Sequence, residues 1–315
     1  MPHSSIVHDL RSAHSADALL TGAPLPTLLY FALPIILGNI FQQLYSIVDA
    51  IVVGNFLGDL PLSGISVASP IVDVANALVI GGTIGVGVLC AHYCGAGEGE
   101  RLRCMNATAL LGGGALTLLI ALCGIFFSTP LLRAQGTEEA VCREAAVYLQ
   151  LVFAGLLFCF LYNYYAAMLR SCGNSRTPFL ILLLSSTLHA LLDVLFVGVF
   201  GWGIRGVAFS TVLCQALAAA ACILYAQRRC PPLLLRPANL RFDRQMARLV
   251  LSYAWAAALQ QAVVCIGRLL VQGMLTPLGT STVTGYNMSL RTEQFLFCFS
   301  PVSYTHLTLP TSDLV

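Results

Sequence analysis

Long apolar runs recur along the chain between Leu28 and Ser300, separated by short stretches rich in glycine, proline and polar residues. A helix needs about 20 mostly apolar residues to cross the hydrocarbon core of a bilayer. Only 10% of the residues are charged, whereas soluble domains have about 25%. A soluble fold of this sequence would lack the polar surface that it needs, so the sequence predicts an all-α integral membrane protein.

Turn-forming residues divide the apolar sequence into eight predicted membrane spans. Glycine and proline favour breaks between helices, and breaks are predicted at Gly54-Asn55, at 58–61 and at Ser128-Thr129-Pro130, as well as within 95–100, 172–178 and 201–203. The predicted spans are 28–53, 62–90, 105–127, 147–169, 178–200, 206–226, 249–275 and 283–300.

The Arg- and Pro-rich segment 227–248 is the clearest boundary, because it follows six predicted spans. A weak internal repeat crosses it and aligns Leu57-Gly58 with Leu278-Gly279, and transporters commonly have two related halves. The predicted organisation is a cytoplasmic N-terminal segment (1–27), a six-helix N-terminal lobe (28–226), a cytoplasmic linker (227–248), the first two helices of a second, related lobe (249–300) and a tail (301–315). The polar tail interrupts the last span and resembles translated adapter read-through, so it is predicted to be non-native.

The distribution of arginine predicts how the spans are oriented. All 16 basic residues are arginines; eleven occur in the N-terminal segment and loops on one side, and three in loops on the other. The first group is Arg11, Arg101, Arg103, Arg170, Arg176, Arg228, Arg229, Arg236, Arg241, Arg244 and Arg248, and the second is Arg133, Arg143 and Arg205. The positive-inside rule predicts a multi-pass protein of the cell inner (plasma) membrane with a cytoplasmic N-terminus. Net charge is only +2, and no concentrated basic face suggests nucleic-acid binding.

Four carboxylates fall inside predicted spans, where an ionisable side chain is costly and usually faces a cavity or a partner. They are Asp49, Asp73, Asp193 and Glu293. Asp73 lies near the outer part of its span, so a functional role and simple contact with the membrane interface both remain open. Glu293 lies beside Arg291, which fits either a cation site or a structural ion pair.

Two of these carboxylates have polar neighbours at helical spacing. Asp49 shares one helix face with Gln42 and Tyr45, and His189 precedes Asp193 by one turn. A carboxylate near an imidazole in a low dielectric has coupled proton affinities, and oxygen ligands suit a hard cation. The pattern favours a proton or Na⁺ site, with a structural hydrogen-bonded contact between helices as the alternative.

Other polar or small residues in the spans are less specific. Asn163, between Tyr162 and Tyr164-Tyr165, is compatible with a path for organic cations or with helix packing and an aromatic belt. The 12 cysteines lack the spacing of a zinc site and are interpreted as small buried side chains. The glycines at 81, 82, 85, 87 and 112–114 are predicted to permit close helix packing.

Five stretches of the sequence, in this order, resemble the multidrug and toxic compound extrusion (MATE) family of transporters. They are LPIILGNIFQQLYSIVDAIVVGNFLG (33–58), CGAGEGERLR (94–103), MLRSCGNSRTP (168–178), LLDVLFVGVFGWGIRGVAFSTVLCQ (191–215) and ALQQAVVCIGRLLVQ (258–272). The first is the most specific, because its Gln-Gln, Asp and Gly spacing is unusual for a spanning helix.

The resemblance implies twelve helices in two lobes, so that this chain would be a C-terminally truncated member. It also implies export of cationic or amphipathic organic compounds in exchange for H⁺ or Na⁺, without another cofactor. Asp49, Asp193 and Thr211 match the family's first-lobe cation site, which is where Na⁺ would bind. His189 stands where the family usually has Asn, and this departure favours H⁺. Glu293 matches a second-lobe site.

The implied partners are small organic cations or amphipathic drugs and the lipid bilayer, and the protein is expected to act as a monomer. One alternative is a lipid-linked oligosaccharide flippase of the same superfamily, although only Arg268 and Arg291 provide basic charge inside spans. Another is an intramembrane enzyme, but the sequence lacks HExxH and GxSxG motifs, so no enzymatic activity is expected. Trp255 replaces a proline common in the seventh helix of the family, which leaves a hinge there in question.

Asp49→Asn is expected to abolish export that is coupled to an ion gradient, because the substitution removes the charge that a bound cation would neutralise. Export assays at matched protein levels test this expectation. Undiminished export by the variant would contradict the assignment of Asp49.

Overall fold

The computed structural model describes residues 24–230, 233, 241–275, 286, 289–290 and 292–293; within the helices it leaves out the side chains of 24–30, 43–50, 59, 269, 272 and 273. The regular structure of these residues is helical. The elements are α1 (Pro24–Leu57), α2 (Asp59–Ala96), α3 (Gly99–Ala134), α4 (Glu139–Ala154), α5 (Leu156–Ser171), α6 (Arg176–Asp193), a π-helical segment (Val194–Val199), α7 (Ile204–Arg229) and α8 (Arg244–Leu275).

The described helices are long and apolar enough to cross a membrane. Five of them meet that requirement within the described ranges, and a sixth is added if α4 and α5 form one bent span. Large apolar side chains point outward, as shown by Phe126 and Phe127 of α3, which are 75% and 60% exposed. Such a surface suits lipid rather than water, and the predicted all-α membrane class is confirmed. Most of the predicted eighth span, 283–300, lies outside the described residues.

Glycines in the left-handed region mark several of the predicted breaks. Gly58 (φ 75°) separates α1 from α2, and Gly97 (φ 70°) follows α2 and donates its backbone N–H to the Cys94 carbonyl. Gly173 (φ 86°) lies in the turn after α5. Only glycine enters this region without steric cost, so these breaks follow directly from the sequence.

Two predicted breaks are wrong. Gly54-Asn55 lies inside α1 and Ser128-Thr129-Pro130 lies inside α3, which continues to Ala134. Proline is tolerated within membrane helices, so Pro130 does not end α3. Glycine is likewise common in membrane helices.

The predicted fourth span, 147–169, is a pair of helices rather than one straight helix. α4 and α5 meet at an angle of 44°, with Gly155 between them. A Cβ atom at Gly155 would lie 2.5 Å from Val212 Cγ2 of α7. The bend therefore brings the chain close to α7 at a point where only glycine fits.

α2 lies at the centre of the described bundle. It packs against α4 and α5 on one side and makes its most extensive contact with α8. At the periphery, α6 packs against α7 and α1, and the Phe41 and Phe179 rings lie 6.2 Å apart across the α1–α6 contact.

The segment between α7 and α8 is attached to α3 by polar contacts. The Asn106 side chain donates to the Leu233 carbonyl at 3.1 Å, and the Asp243 backbone N–H donates to the Thr108 hydroxyl at 3.2 Å. The Asp243 carboxylate in turn accepts from the Met246 N–H at 2.7 Å, which is the arrangement of a helix N-cap. The start of α8 is therefore positioned against α3 before its apolar sequence begins.

Close approach of α2 and α8 depends on two glycines. A Cβ atom at Gly81 would lie 2.6 Å from Ala258 Cα, and one at Gly85 would overlap the Tyr253 carbonyl. The close packing predicted for these residues is confirmed. Gly82, by contrast, has nothing within 4 Å of its added Cβ, so the prediction is wrong for that position.

Gly85→Ala is expected to destabilise the α2–α8 contact by about 1–3 kcal/mol, the usual cost of inserting a methyl group into a packed interface. Gly82→Ala is the matched control, because it adds the same methyl group three residues away into open space. Thermal unfolding in detergent measures the difference. Equal melting temperatures for the two variants would contradict the packing argument.

Candidate functional site

A buried polar cluster joins α6 to α7. Asp193, the last residue of α6, and Ser210 of α7 are fully buried, and His189 is only 4% exposed. His189 and Asp193 face the same way because residues four apart lie on one helix face. The turn through Gly203 (φ 61°) leads directly into α7, which packs against α6.

The imidazole of His189 connects the carboxylate of Asp193 to a hydroxyl of α7. His189 Nδ1 lies 2.8 Å from Asp193 Oδ2, and His189 Nε2 lies 2.9 Å from Thr211 Oγ1. The Ser210 hydroxyl donates to Asp193 Oδ1. Three of the predicted site residues, His189, Asp193 and Thr211, are thus brought together.

Asp193 is incompletely satisfied within this cluster. Its Oδ2 atom is buried and has no hydrogen-bond partner of acceptable geometry, although His189 Nδ1 lies close to it. No ion pair of Asp193 with an arginine occurs in the described part of the chain. A buried carboxylate left in this state is costly, and binding of a proton or a cation would offset that cost.

The described residues do not place the carboxylate of Asp49 relative to this cluster. The backbone of Asp49 and Tyr45 belongs to α1, but both side chains lie outside the description. Gln42 is described and exposed. α1 nevertheless packs against α6, the helix that contains His189 and Asp193.

Glu293 forms an ion pair with Arg268 of α8, with 3.5 Å between Glu293 Oε1 and the guanidinium. The carboxylate side chain is 45% exposed, so it is not deeply buried as Asp193 is. Arg291, its expected neighbour, lies outside the described residues. Asp73 is exposed on α2, where its backbone carbonyl lies 4.0 Å from Cys265 Sγ of α8.

Asn163 is occupied by contacts within its own helix. Its Nδ2 atom donates to the Cys159 carbonyl at 2.9 Å, which is the local bonding expected of a structural residue. A role for Asn163 in a substrate path stays a prediction.

Ser210 is the member of the cluster that was not predicted from the sequence. Its neighbour Thr211 was selected through the family resemblance, and the available signal was the pair of adjacent hydroxyls in an otherwise apolar helix. The Ser210 oxygen also lies 2.8 Å from the Val207 carbonyl oxygen, so its one hydroxyl proton has two acceptors within reach, this carbonyl and Asp193 Oδ1.

A separate apolar cavity of about 530 Å³ lies between α2, α3, α5 and α8. Its lining includes Val79, Phe160, Tyr164 and Trp255, with hydroxyls from Thr83 and Thr117. Volumes of about 300–1,000 Å³ accommodate drug-sized molecules. Neither Gln42 nor Asn163 is among the described residues that line it.

The fold and the buried carboxylate define a multi-spanning membrane protein with an ionisable site inside its helical bundle. A family model described as MatE matches residues 34–195, which is just over half of the chain. The chain therefore belongs to the MATE family.

Individual relatives agree with this assignment. Two proteins of Bacillus subtilis, named probable multidrug resistance proteins YoeA and YpnP, are each 29% identical over 82% and 87% of this chain. The chain spans 57% and 61% of their lengths. A solved transporter of the MOP superfamily from Pyrococcus furiosus has the same fold, with a TM-score of 0.82, 21% identity and coverage of 89% of this chain and 62% of its own. Members of the family are transporters.

Ser210→Ala is expected to destabilise the protein by about 1–3 kcal/mol, because it removes a donor from a buried acceptor. Thr187→Ala is the matched control: its exposed hydroxyl bonds only the Leu183 carbonyl of the same helix. Thermal unfolding in detergent compares the two, and a larger loss in the control would contradict the importance of the Ser210–Asp193 bond.

Proposed function

We propose that this protein exports cationic or amphipathic organic compounds across the plasma membrane in exchange for protons, with Asp193 and His189 at the coupling site. Membership of the MATE family supports a transport function. The observation on which the coupling proposal rests is the fully buried Asp193 carboxylate, whose Oδ2 atom lies 2.8 Å from His189 Nδ1.

The donor set of the cluster favours H⁺ over Na⁺ as the coupling ion. A hard cation prefers several oxygen ligands around it, whereas one carboxylate oxygen of Asp193 already accepts from Ser210 and the other lies against the imidazole. Imidazole nitrogen is a poor substitute for oxygen around Na⁺ but a good proton acceptor. A Na⁺ ion bound to the Thr211 hydroxyl would have to compete with His189 Nε2, which lies 2.9 Å from it.

Proton binding would act by changing the net charge of the cluster. An ionised Asp193 beside a neutral His189 has one buried negative charge, and one added proton removes it. A conformational equilibrium shifts only when the ligand binds one state more tightly than the other. The state that buries the cluster most deeply would therefore gain most from protonation, and drug release would accompany the change of state.

The apolar cavity supports an amphipathic substrate. Its lining of aromatic and aliphatic side chains with threonine hydroxyls offers apolar contact rather than the basic charge that a phosphorylated lipid would need. Arg268 of α8 is already paired with Glu293. The oligosaccharide flippase is therefore less well supported than the exporter.

The proposal includes the predicted orientation, with the N-terminus in the cytoplasm, and a monomeric protein. Gln42, Tyr45 and Asn163 are proposed to line part of the substrate path, and Glu293 is proposed as a second ion-coupling carboxylate. Arg101 and Arg103 lie in the first turns of α3 and pair with Glu98 and Glu100. The support for the orientation is the distribution of arginine along the sequence.

Asp193→Asn is expected to reduce proton-driven export to the background level, because the amide cannot take up the coupling proton. Uptake of a fluorescent organic cation into inverted membrane vesicles, driven by an imposed pH gradient with an acidic lumen, measures the effect, because the cytoplasmic face of these vesicles points outward. Glu138→Gln is the matched control, since Glu138 is an exposed carboxylate that precedes α4.

The two variants separate the proposed role from a general loss of charge. Export equal to that of the unmodified protein in Asp193→Asn, at equal protein levels, would refute the coupling proposal. Transport that depends on an imposed Na⁺ gradient but not on the pH gradient would refute proton coupling. The proposed transport function would still hold in that case.

A further inference from the structure

Three thiols meet near the end of α2. Cys90 and Cys94 are one turn apart on α2, and Cys172 follows the last residue of α5. The Cys94 and Cys172 sulfur atoms are 3.3 Å apart, and those of Cys90 and Cys94 are 4.0 Å apart. All three sulfur atoms lie within 4.8 Å of one another.

The surrounding backbone holds these thiols together independently of any bond between them. The Ser171 hydroxyl donates to the Gly87 carbonyl of α2 at 2.7 Å, which fixes the end of α5 beside α2. Gly173 (φ 86°) then turns the chain toward α6. The Cys172 thiol is thus held against the face of α2 that contains Cys90 and Cys94.

The spacing of the sulfur atoms matches the coordination of a thiophilic metal ion. Metal–thiolate bonds of about 2.3 Å place sulfur atoms about 3.8–4.0 Å apart in tetrahedral or trigonal geometry. The observed sulfur–sulfur separations are 3.3 Å, which is below that range, and 4.0 Å, which is at its upper end. Small side-chain rotations would therefore bring the three sulfur atoms to the spacing that a bound metal ion requires. Thiolates are soft ligands that select Zn²⁺, Cu⁺ and similar ions over Na⁺ or Mg²⁺.

The burial of the three thiols differs in a way that suits a binding site. Cys90 is fully buried, whereas Cys94 and Cys172 are partly exposed. An ion could therefore enter past the two outer thiols and be shielded from water by the inner one. Sequence spacing alone gave no zinc motif, because Cys94 and Cys172 are 78 residues apart.

We propose that Cys90, Cys94 and Cys172 form a binding site for a thiophilic d¹⁰ metal ion such as Zn²⁺ or Cd²⁺. Each thiol that coordinates the ion releases its proton to solvent, and no oxidant or reductant is needed. Occupancy joins α2 to the turn between α5 and α6. The proposal does not depend on the transport function.

Cd²⁺ titration of the purified, reduced protein in detergent tests the proposal. The expected result is one equivalent of tightly bound Cd²⁺ with the ultraviolet absorption of thiolate-to-metal charge transfer. Removing a group that only supports a metal ligand typically weakens metal binding about 10–100-fold. Cys94→Ser and Cys172→Ser remove ligands themselves, so each is expected to weaken Cd²⁺ binding by at least about 100-fold. Cys104→Ser, a partly buried cysteine near the start of α3, is the matched control and should bind as the unmodified protein does.

A second measurement uses the unmodified protein and does not depend on the folding of variants. Bound Cd²⁺ is expected to protect Cys94 and Cys172 from alkylation by iodoacetamide, as read by mass spectrometry, while Cys123, which is exposed on α3, is alkylated at the same rate with and without Cd²⁺. Unchanged alkylation of Cys94 and Cys172 would overturn the proposal. Equal weakening by Cys104→Ser, or recovery of Cys94 and Cys172 as a disulfide under reductant, would also overturn it.

Discussion

Polar groups between the helices of this protein must find partners within the protein, because hydrocarbon provides none. This constraint explains why the serine and threonine hydroxyls of the described helices repeatedly bond backbone carbonyls, and why the Ser210 hydroxyl lies within reach of both the Val207 carbonyl and Asp193 Oδ1. The fully buried Asp193 carboxylate is the costlier case, because the group beside its Oδ2 atom is an imidazole rather than an arginine. An ionisable group at such a buried position is where function is expected.

Packing between the helices follows the same constraint. With no hydrophobic driving force between helices in lipid, close contact and backbone approach provide the attraction. Gly81 and Gly85 bring α8 against α2, and Gly155 brings the α4–α5 bend against Val212 of α7. Both contacts lie at glycines, so these helices approach one another most closely where the side chains are smallest.

Much of the fold was predictable from sequence, because span length and turn glycines are local properties. Gly58, Gly97 and Gly173 mark turns by their own conformational freedom. Pro130 was misleading, since a proline within a membrane helix need not end that helix. The α4–α5 bend was not predicted either, because it depends on the approach of Val212 from a distant helix.

The candidate site was partly predictable for a related reason. Once the segment is predicted to be helical, the spacing of four residues places His189 and Asp193 on one helix face. The contact of Ser210 with Asp193 depends instead on how α7 is rotated about its axis, which the sequence does not specify. The cluster of Cys90, Cys94 and Cys172 depends entirely on the packing of α5 against α2. Contacts between distant segments depend on how the helices pack, and local sequence patterns do not specify that packing.

The attachment of the α7–α8 connection has a consequence for biosynthesis. Asn106 and Thr108 of α3 bind the connection, and Gly81 and Gly85 of α2 receive α8. These residues all precede α8 in the chain, and domains generally form from the N-terminus during synthesis. The residues that receive α8 are therefore all synthesised before α8 itself.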